Sequence, residues 1–306
     1  MEISLNSVKN FNIPLYNNLA SLPAESIYSD RHSPSLPHPA DIFIECIGRL
    51  TISLDNMLKY IIEQRNYNDL RGDLQAYVQD LDTFYDNLYN IIITMKKPNG
   101  KIVESLRWLK ENNHGERNQL SQSTLKHHKM ISNINNKLKH TTMLVRPASL
   151  TYESDNTTVN GFFIGRSAAD GSVSPDREIH SPYCEMNTGH SFNFFINKTI
   201  SLVFFYTYHL NKILFKSKKA NVDIDKLTQL YKLANVAANI TQDFFPDEYA
   251  KPVGKYNAKN NKILIKYPVL YKTPADRRPP WAVNQLFVFN QRTKTGSGKM
   301  IYYKYV

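Results

Sequence analysis

Asp41-Ile-Phe-Ile-Glu-Cys-Ile-Gly-Arg-Leu-Thr-Ile-Ser-Leu-Asp-Asn-Met-Leu-Lys-Tyr-Ile-Ile-Glu-Gln64 is the stretch whose reading settles the class of fold. Phe43, Ile47, Leu50, Leu54, Met57 and Ile61 recur at steps of three and four, the period of one helix face. Pro39-Ala-Asp41 suits a helix start, with Asp41 expected as its N-cap. Downstream, Leu70, Leu74, Tyr77, Leu81, Leu88, Ile91 and Met95 repeat the pattern until Pro98-Asn-Gly100 breaks it. A short helix is expected over 101–111, then a break at Asn112-Asn-His-Gly115. A fourth helix follows from Leu120 to His140, with Leu120, Ile131, Ile134 and Leu138 inward. Lys129, Asn133, Asn136 and His140 form one polar line along its other side.

Period and composition then change. Met143-Leu-Val-Arg146, Val159-Asn-Gly-Phe-Phe-Ile-Gly165 and the turns at Asp170-Gly171 and Pro175-Asp176 read as a β insertion over about 141–190. Ser191 to Lys216 is apolar nearly all round at Ile200 to Tyr206, and so reads as a buried helix. Asn193, Asn197, Lys198, His209 and Asn211 oppose reading that helix as a membrane span. Ile224 to Phe245 is a last helix, with Leu227, Leu230, Leu233 and Ala237 inward. Strands close the chain at 262–267, 285–290 and 300–306, and Thr295-Gly-Ser-Gly298 is the expected hairpin turn. Residues 1–40, with four prolines after position 20, read as an extended arm. The expectation is an α+β protein. Its parts are the arm at 1–40, a mainly α-helical bundle with a β insertion at 41–250, and a C-terminal antiparallel β-rich segment at 251–306.

Charge divides the chain differently. The formal net charge is +11. Residues 251–306 hold nine lysines, three arginines and one acid, Asp276, so the other 250 residues cancel at 26 basic against 26 acidic. Such asymmetry points to a polyanionic partner for the charged part. Lys262, Lys266, Lys272, Arg277, Arg278, Arg292, Lys294 and Lys299 are the candidate phosphate contacts, and Trp281 a candidate stacking residue. Tyr256, Tyr267, Tyr271, Phe287, Phe289, Tyr302, Tyr303 and Tyr305 interleave with them. Two other readings stay open: aromatics alternating into a small core beneath solvated lysines, and contact with an acidic protein surface.

Cys46 and Cys184 are the only cysteines, which rules out a disulfide framework and a four-thiolate zinc site. The N-terminus has no basic stretch followed by an apolar run, so no secretory signal is expected, and a reducing, cytoplasmic setting is the simple reading. Phosphate-loop, dinucleotide-binding, HExxH and GxSxG motifs are absent. Asp80 and Asp82 fall at i, i+2 of the second helix and are expected on its solvated surface. His127 and His128 are adjacent and cannot share a helix face, so no metal or cofactor is expected.

The string with chemical content is Asn135-Asn-Lys-Leu-Lys-His140, which closes the fourth helix. A helix C-terminus favours protonated histidine, and imidazole titrates near neutral pH. His140 could move a proton to or from an RNA 2′-hydroxyl or a leaving oxygen, with Lys137 or Lys139 stabilising the charge that develops. A capping histidine with amides serving the loop backbone is the plainer alternative. Asp176-Arg-Glu-Ile-His180 offers a second Asp–His pair, whose commoner role in such a turn is local backbone bonding. A fold that brought His180 against His140 would make a two-histidine site.

A helical bundle closing on Asn136-x-x-x-His140 resembles the HEPN superfamily over about residues 41–216. The resemblance implies metal-independent RNA cleavage by a dimer, as in toxins and antiviral defence effectors, with Arg-Asn-x-x-x-His as the motif. Asn136 and His140 match its second and last positions, while Asn135 stands where the arginine belongs. Lys137, Lys139 or Arg146 would have to replace it. The expected function is therefore a nucleic-acid-associated protein, either an endoribonuclease using His140, Asn136 and Lys139, or a non-catalytic subunit that binds RNA or a partner protein. A homodimer goes with the first reading.

Overall fold

The computed structural model describes residues 14–63, 67–99, 103–112, 115–139, 143–152, 157–167, 173–183, 187–216, 227–240, 243–266, 287–293 and 296–302. It is an α+β protein, mainly helical. Helices α1 (Leu15–Ala20), α2 (Pro39–Glu63), α3 (Tyr67–Thr94), α4 (Ser105–Glu111) and α5 (Gly115–Lys139) precede the insertion, and α6 (Phe192–Phe215) and α7 (Thr228–Ala238) follow it. Two short strands, β1 (His32–Ser33) and β2 (Val103–Glu104), pair in parallel.

Helix α6 is the centre of the molecule. From Phe192 to Asn211 only Lys198 and Tyr208 are not buried. Several of its polar residues are paired with the surrounding layers. Tyr77 of α3 meets Thr199 Oγ1 at 2.7 Å. That threonine already donates to the Phe195 carbonyl, so the tyrosine hydroxyl is the donor between them. Asn18 Nδ2 of α1 donates to Asn211 Oδ1 at 2.7 Å, and Asn197 Nδ2 donates to the Ala237 carbonyl of α7 at 3.0 Å. Ser191 caps the helix by accepting from Phe194 N. No helix among the described residues is long and apolar enough to cross a membrane.

Several expected boundaries move, each for a physical reason. Part of the stretch read as an extended arm is the docked helix α1: Leu15 and Leu19, one turn apart, are fully buried. Helix α2 opens at Pro39, which suits a first-turn position, so Asp41 lies in the first turn and not at the cap. Gly115, read as a breaker, opens α5, where first-turn Glu116 binds Lys96 Nζ at 2.5 Å. Helix α4 is shorter than the 101–111 expected. Helix α7 stops at Ala238, with Asn239 as its C-cap, and further on Phe245 is extended before Pro246 and packs with Phe244 in a second core.

The insertion supplies β3 (Met143–Tyr152), β4 (Thr157–Ser167), β5 (Val173–Pro175) and β6 (His190–Ser191). The chain after α7 adds a hairpin of β7 (Val253–Asn257) and β8 (Lys262–Lys266), then β9 (Phe287–Thr293) and β10 (Gly296–Tyr302). One sheet runs β10-β9-β3-β4-β5, with β6 also on β4, so the insertion and the C-terminal hairpin share it. The expected turn at 295–298 is displaced: Gly296, Ser297 and Gly298 pair with Thr293, Arg292 and Gln291. Glycine is tolerated there because β10 ends the strand order.

Val145, Phe162 and Ile164 face the main core, while Ala148, Leu150, Val159 and Phe163 join Phe194, Phe244, Phe245, Tyr249 and Val253 on the other side of the sheet. The β7 hairpin lies against α6, and Ser201 Oγ donates to the Gly254 carbonyl at 3.0 Å. A Cβ at Gly254 would run into Ser201 Oγ and Ile263, whereas Gly48, inside α2, has open space around it. Gly254→Ala is therefore expected to lose about 1–3 kcal/mol, and Gly48→Ala to gain about 0.5–1 kcal/mol. Urea unfolding of the two variants checks the opposite signs.

Candidate functional site

Helix α5 is held against α3 by one carboxylate. His128 Nε2 lies 2.8 Å from Asp82 Oδ1, and Asn135 Nδ2 donates to Asp82 Oδ2 at 2.5 Å. The hydrogen bond from His128 comes first among the causes that hold the Asp82 carboxyl below its ordinary range, against its partial burial. An ionised carboxylate only accepts, so His128 Nε2 carries the proton. His128 and Asn135 are seven residues apart, two turns on one face of α5, so a single acceptor fixes the rotation of that helix.

The His128 ring stacks on Tyr85 at 3.8 Å. The Tyr85 hydroxyl meets Thr124 Oγ1 at 2.9 Å and the Tyr89 hydroxyl at 3.1 Å. Thr124 donates to the Leu120 carbonyl, so Tyr85 donates to Thr124 and accepts from Tyr89. With its imidazole 4% exposed, His128 orients α5 and does not face a solvent cleft. The placement of Asp82 corrects the solvated-surface reading. Its signal was present in the sequence: Val78, Asp82, Tyr85 and Tyr89 step by four, three and four along the buried stripe. Thr124, His128, Ile131, Asn135 and Leu138 do the same in α5.

That rotation leaves Lys129 and Asn136 of the polar line exposed and Asn133 half-buried; Lys139, which is not on that line, is exposed as well. His140 lies outside the described residues. The motif-arginine position is the buried Asn135, committed to Asp82. Among the substitutes, Lys137 is engaged by Asp176 Oδ2 at 3.2 Å and Glu178 Oε2 at 2.7 Å, Arg146 is half-buried in β3, and Lys139 is exposed.

The second Asp–His pair is a turn. Asp176 Oδ1 accepts from Glu178 N and its carbonyl from His180 N. His180 is buried, accepts from Ile164 N at Nε2 (2.9 Å) and sits 4.8 Å from the His190 ring. Burial first, then Lys251, pushes His180 down to about 3; burial, then His180 and Lys251, holds His190 well below the usual range. Burial likewise takes His209 down to about 4. His180 is thus a neutral core histidine, and Asp176 has the local backbone-bonding role that is the commoner one in such a turn. Glu248 is fully buried, accepting from Ser191 N and Phe245 N at 2.9 Å each. Burial, helped by Asp247, pushes Glu248 up to about 8. Among the described residues no group of three His, Cys, Asp or Glu could hold a metal ion.

The C-terminal basic residues have several settings. Lys251 binds Asp247 at 2.6 Å, and Lys255 is buried, with Nζ donating to the Ala238 carbonyl at 3.4 Å. Both serve the framework. Lys262 is half-buried at the start of β8 and Lys266 ends that strand. Arg292 lies in β9 and Lys299 in β10. Lys272, Arg277, Arg278, Trp281 and Lys294 lie outside the described residues.

In the strand register Phe289 lies opposite Leu150 and Met300, and Phe287 opposite Tyr302, while Lys299 lies opposite Asn290 and Arg292 opposite Ser297. No family model matches the chain, and neither a curated protein nor a solved structure does. Fold and site together define a class only: a mainly helical α+β protein with a carboxylate-anchored helix leading into a basic sheet.

The buried histidines predict a loss of stability on acidification. Below pH 6.5 the unfolded chain binds protons at His180, His190 and His209 that the native state refuses, and their combined effect outweighs Glu248, which the native state holds protonated. Each group contributes a slope of up to about 1.4 kcal/mol per pH unit. Urea titrations at pH 6.5 and 5 check this; equal or greater stability at pH 5 would refute it. His180→Gln, which keeps an acceptor for Ile164 N, should flatten the acid limb.

Proposed function

We propose that the protein binds RNA through its basic residues beyond position 250, and that the end of α5 cleaves it in a HEPN-like manner. In this reading His140 is the acid–base group, Asn136 positions the substrate, and Lys139 takes the role of the missing arginine. The observation that carries the proposal is the confinement of the whole +11 excess to residues 251–306. Two further facts support it. Asn136 and Lys139 are exposed at the α5 terminus. Strand β9 runs antiparallel to β3, the strand that follows position 140, so its basic end points back toward that terminus. A cytoplasmic setting belongs to the same proposal and agrees with the buried free thiol of Cys46.

A second reading, a non-catalytic subunit that binds RNA or a partner protein, is favoured by one observation: Asn135 is buried on Asp82 and supplies no cation. Incubation with total RNA in the presence of a chelator separates the two. Cleavage that falls at least a hundredfold in His140→Ala, with binding retained, supports the enzyme. Binding without product supports the subunit. Sedimentation of the intact protein adds a check, because a strict monomer would count against the dimeric enzyme that the resemblance implies.

A further inference from the structure

On α2 the exposed cations have acids one turn away: Arg49 pairs with Glu45, and Lys59 with Asp55. Helix α5 is built differently. Its only acid, Glu116, is engaged by Lys96, and no Asp or Glu follows through Lys139. The nearby carboxylates of α3, Asp82 and Asp86, act on His128 and Lys139. Lys126 and Lys129 are exposed, and neither is in an ion pair among the described residues. Spaced at i, i+3, the two ammonium groups are neighbours that repel, which weakens an isolated helix.

These lysines belong to a longer line. Gln119, Gln122, Lys126, Lys129, Asn133 and Asn136 step by three and four along α5, opposite the buried Leu120, Ile131, Ile134 and Leu138. All six are exposed except Asn133, which is half-buried. At the rise of an α-helix the line is about 26 Å long. It offers two cations and four amides, and no acid.

We propose that this face of α5 binds the backbone of an RNA strand, with phosphates on Lys126 and Lys129 and the amides against phosphate and ribose oxygens. The proposal rests on the RNA reading above and names a contact outside residues 251–306. It also gives the strand a path, because the line passes through Asn136 and, four residues further along the chain, comes to position 140. Charge decides the occupant. An isologous contact with a second copy, centred on this line, would set lysines against lysines. A polyanion instead relieves the repulsion within the line and releases its own counterions. Amides both donate and accept, so they serve phosphate and ribose oxygens, contacts that position a strand without reading its sequence.

The test uses the full chain with His140→Ala, so that binding is read without cleavage, and a 20-nucleotide oligo(U). Lys126→Ala with Lys129→Ala should lower the slope of log affinity against log salt by about 1.4, two phosphate contacts at about 0.7 each. This pair removes a like-charge contact and adds helix propensity, so it should melt no lower than the parent. Lys126→Glu with Lys129→Glu should weaken binding by about tenfold or more. Lys110→Glu with Lys232→Glu makes the same change in net charge at exposed positions of α4 and α7. That control should leave affinity within about threefold, because distant exposed charges are screened by salt. The surface is overturned if the alanine pair leaves the salt slope unchanged, or if the control weakens binding as much as the α5 reversal. Polyglutamate bound as tightly as oligo(U) overturns the RNA occupant in favour of an acidic protein surface. Oligo(U) binding that the α5 variants leave untouched removes this contact and keeps the RNA reading. A parent protein that binds no oligo(U) removes both.

Discussion

Everything in the fold is arranged around a helix that has no solvent face. Burying α6 gathers the Ile200–Tyr206 stretch into the core, but it also takes Asn193, Asn197, Thr199, Ser201, His209 and Asn211 out of water. A buried polar group without a partner costs about 1–3 kcal/mol, so each of these bonds selects a position for the element that answers it. Asn18 fixes α1, Tyr77 fixes α3, the Ala237 carbonyl fixes α7 and the Gly254 carbonyl fixes β7. At the N-terminal end, Glu248 grips Ser191 and ties the segment after α7 to the start of the helix. Apolar burial supplies most of the driving force, and this polar network makes the arrangement specific.

The same logic on a smaller scale governs α5. Asp82 receives two donors from one face of that helix and thereby decides which residues are left outward. Asn136 and Lys139 owe their exposure to a histidine and an asparagine that never reach solvent. Lys137, between them, is drawn toward the Asp176 turn and ties the helix end to the β insertion. Asn135, which stands where the proposed resemblance would call for arginine, thus has a structural task. Any cation serving a phosphate at that end has to come from elsewhere on the surface.

The charge distribution along the chain and in space are different quantities. The neutral first 250 residues contribute β3 and β4, which carry no acid, and the basic last segment contributes β9 and β10 to the same sheet. Part of the basic segment is absorbed by the framework, as Lys251 and Lys255 show. Another part joins the sheet, with Arg292 in β9 and Lys299 in β10.

The sequence by itself determined the helices, the β insertion, the buried character of 191–216 and the polar line on the fourth helix. All of these are periodicities within one element, and a local period survives whatever packs against it. It also located the +11 excess, which is a matter of counting. It left the setting of Asp82 undecided, because an acid on a helix becomes an interior anchor only when another helix brings donors to it. For the same reason the docked α1, the early end of α7 and the neutral state of His180 depended on contacts from distant parts of the chain. The shared sheet is the clearest case: Ser149 and Asn290 lie far apart in sequence, and only the tertiary fold sets their backbones side by side, where pairing of N–H and C=O groups fixes the register.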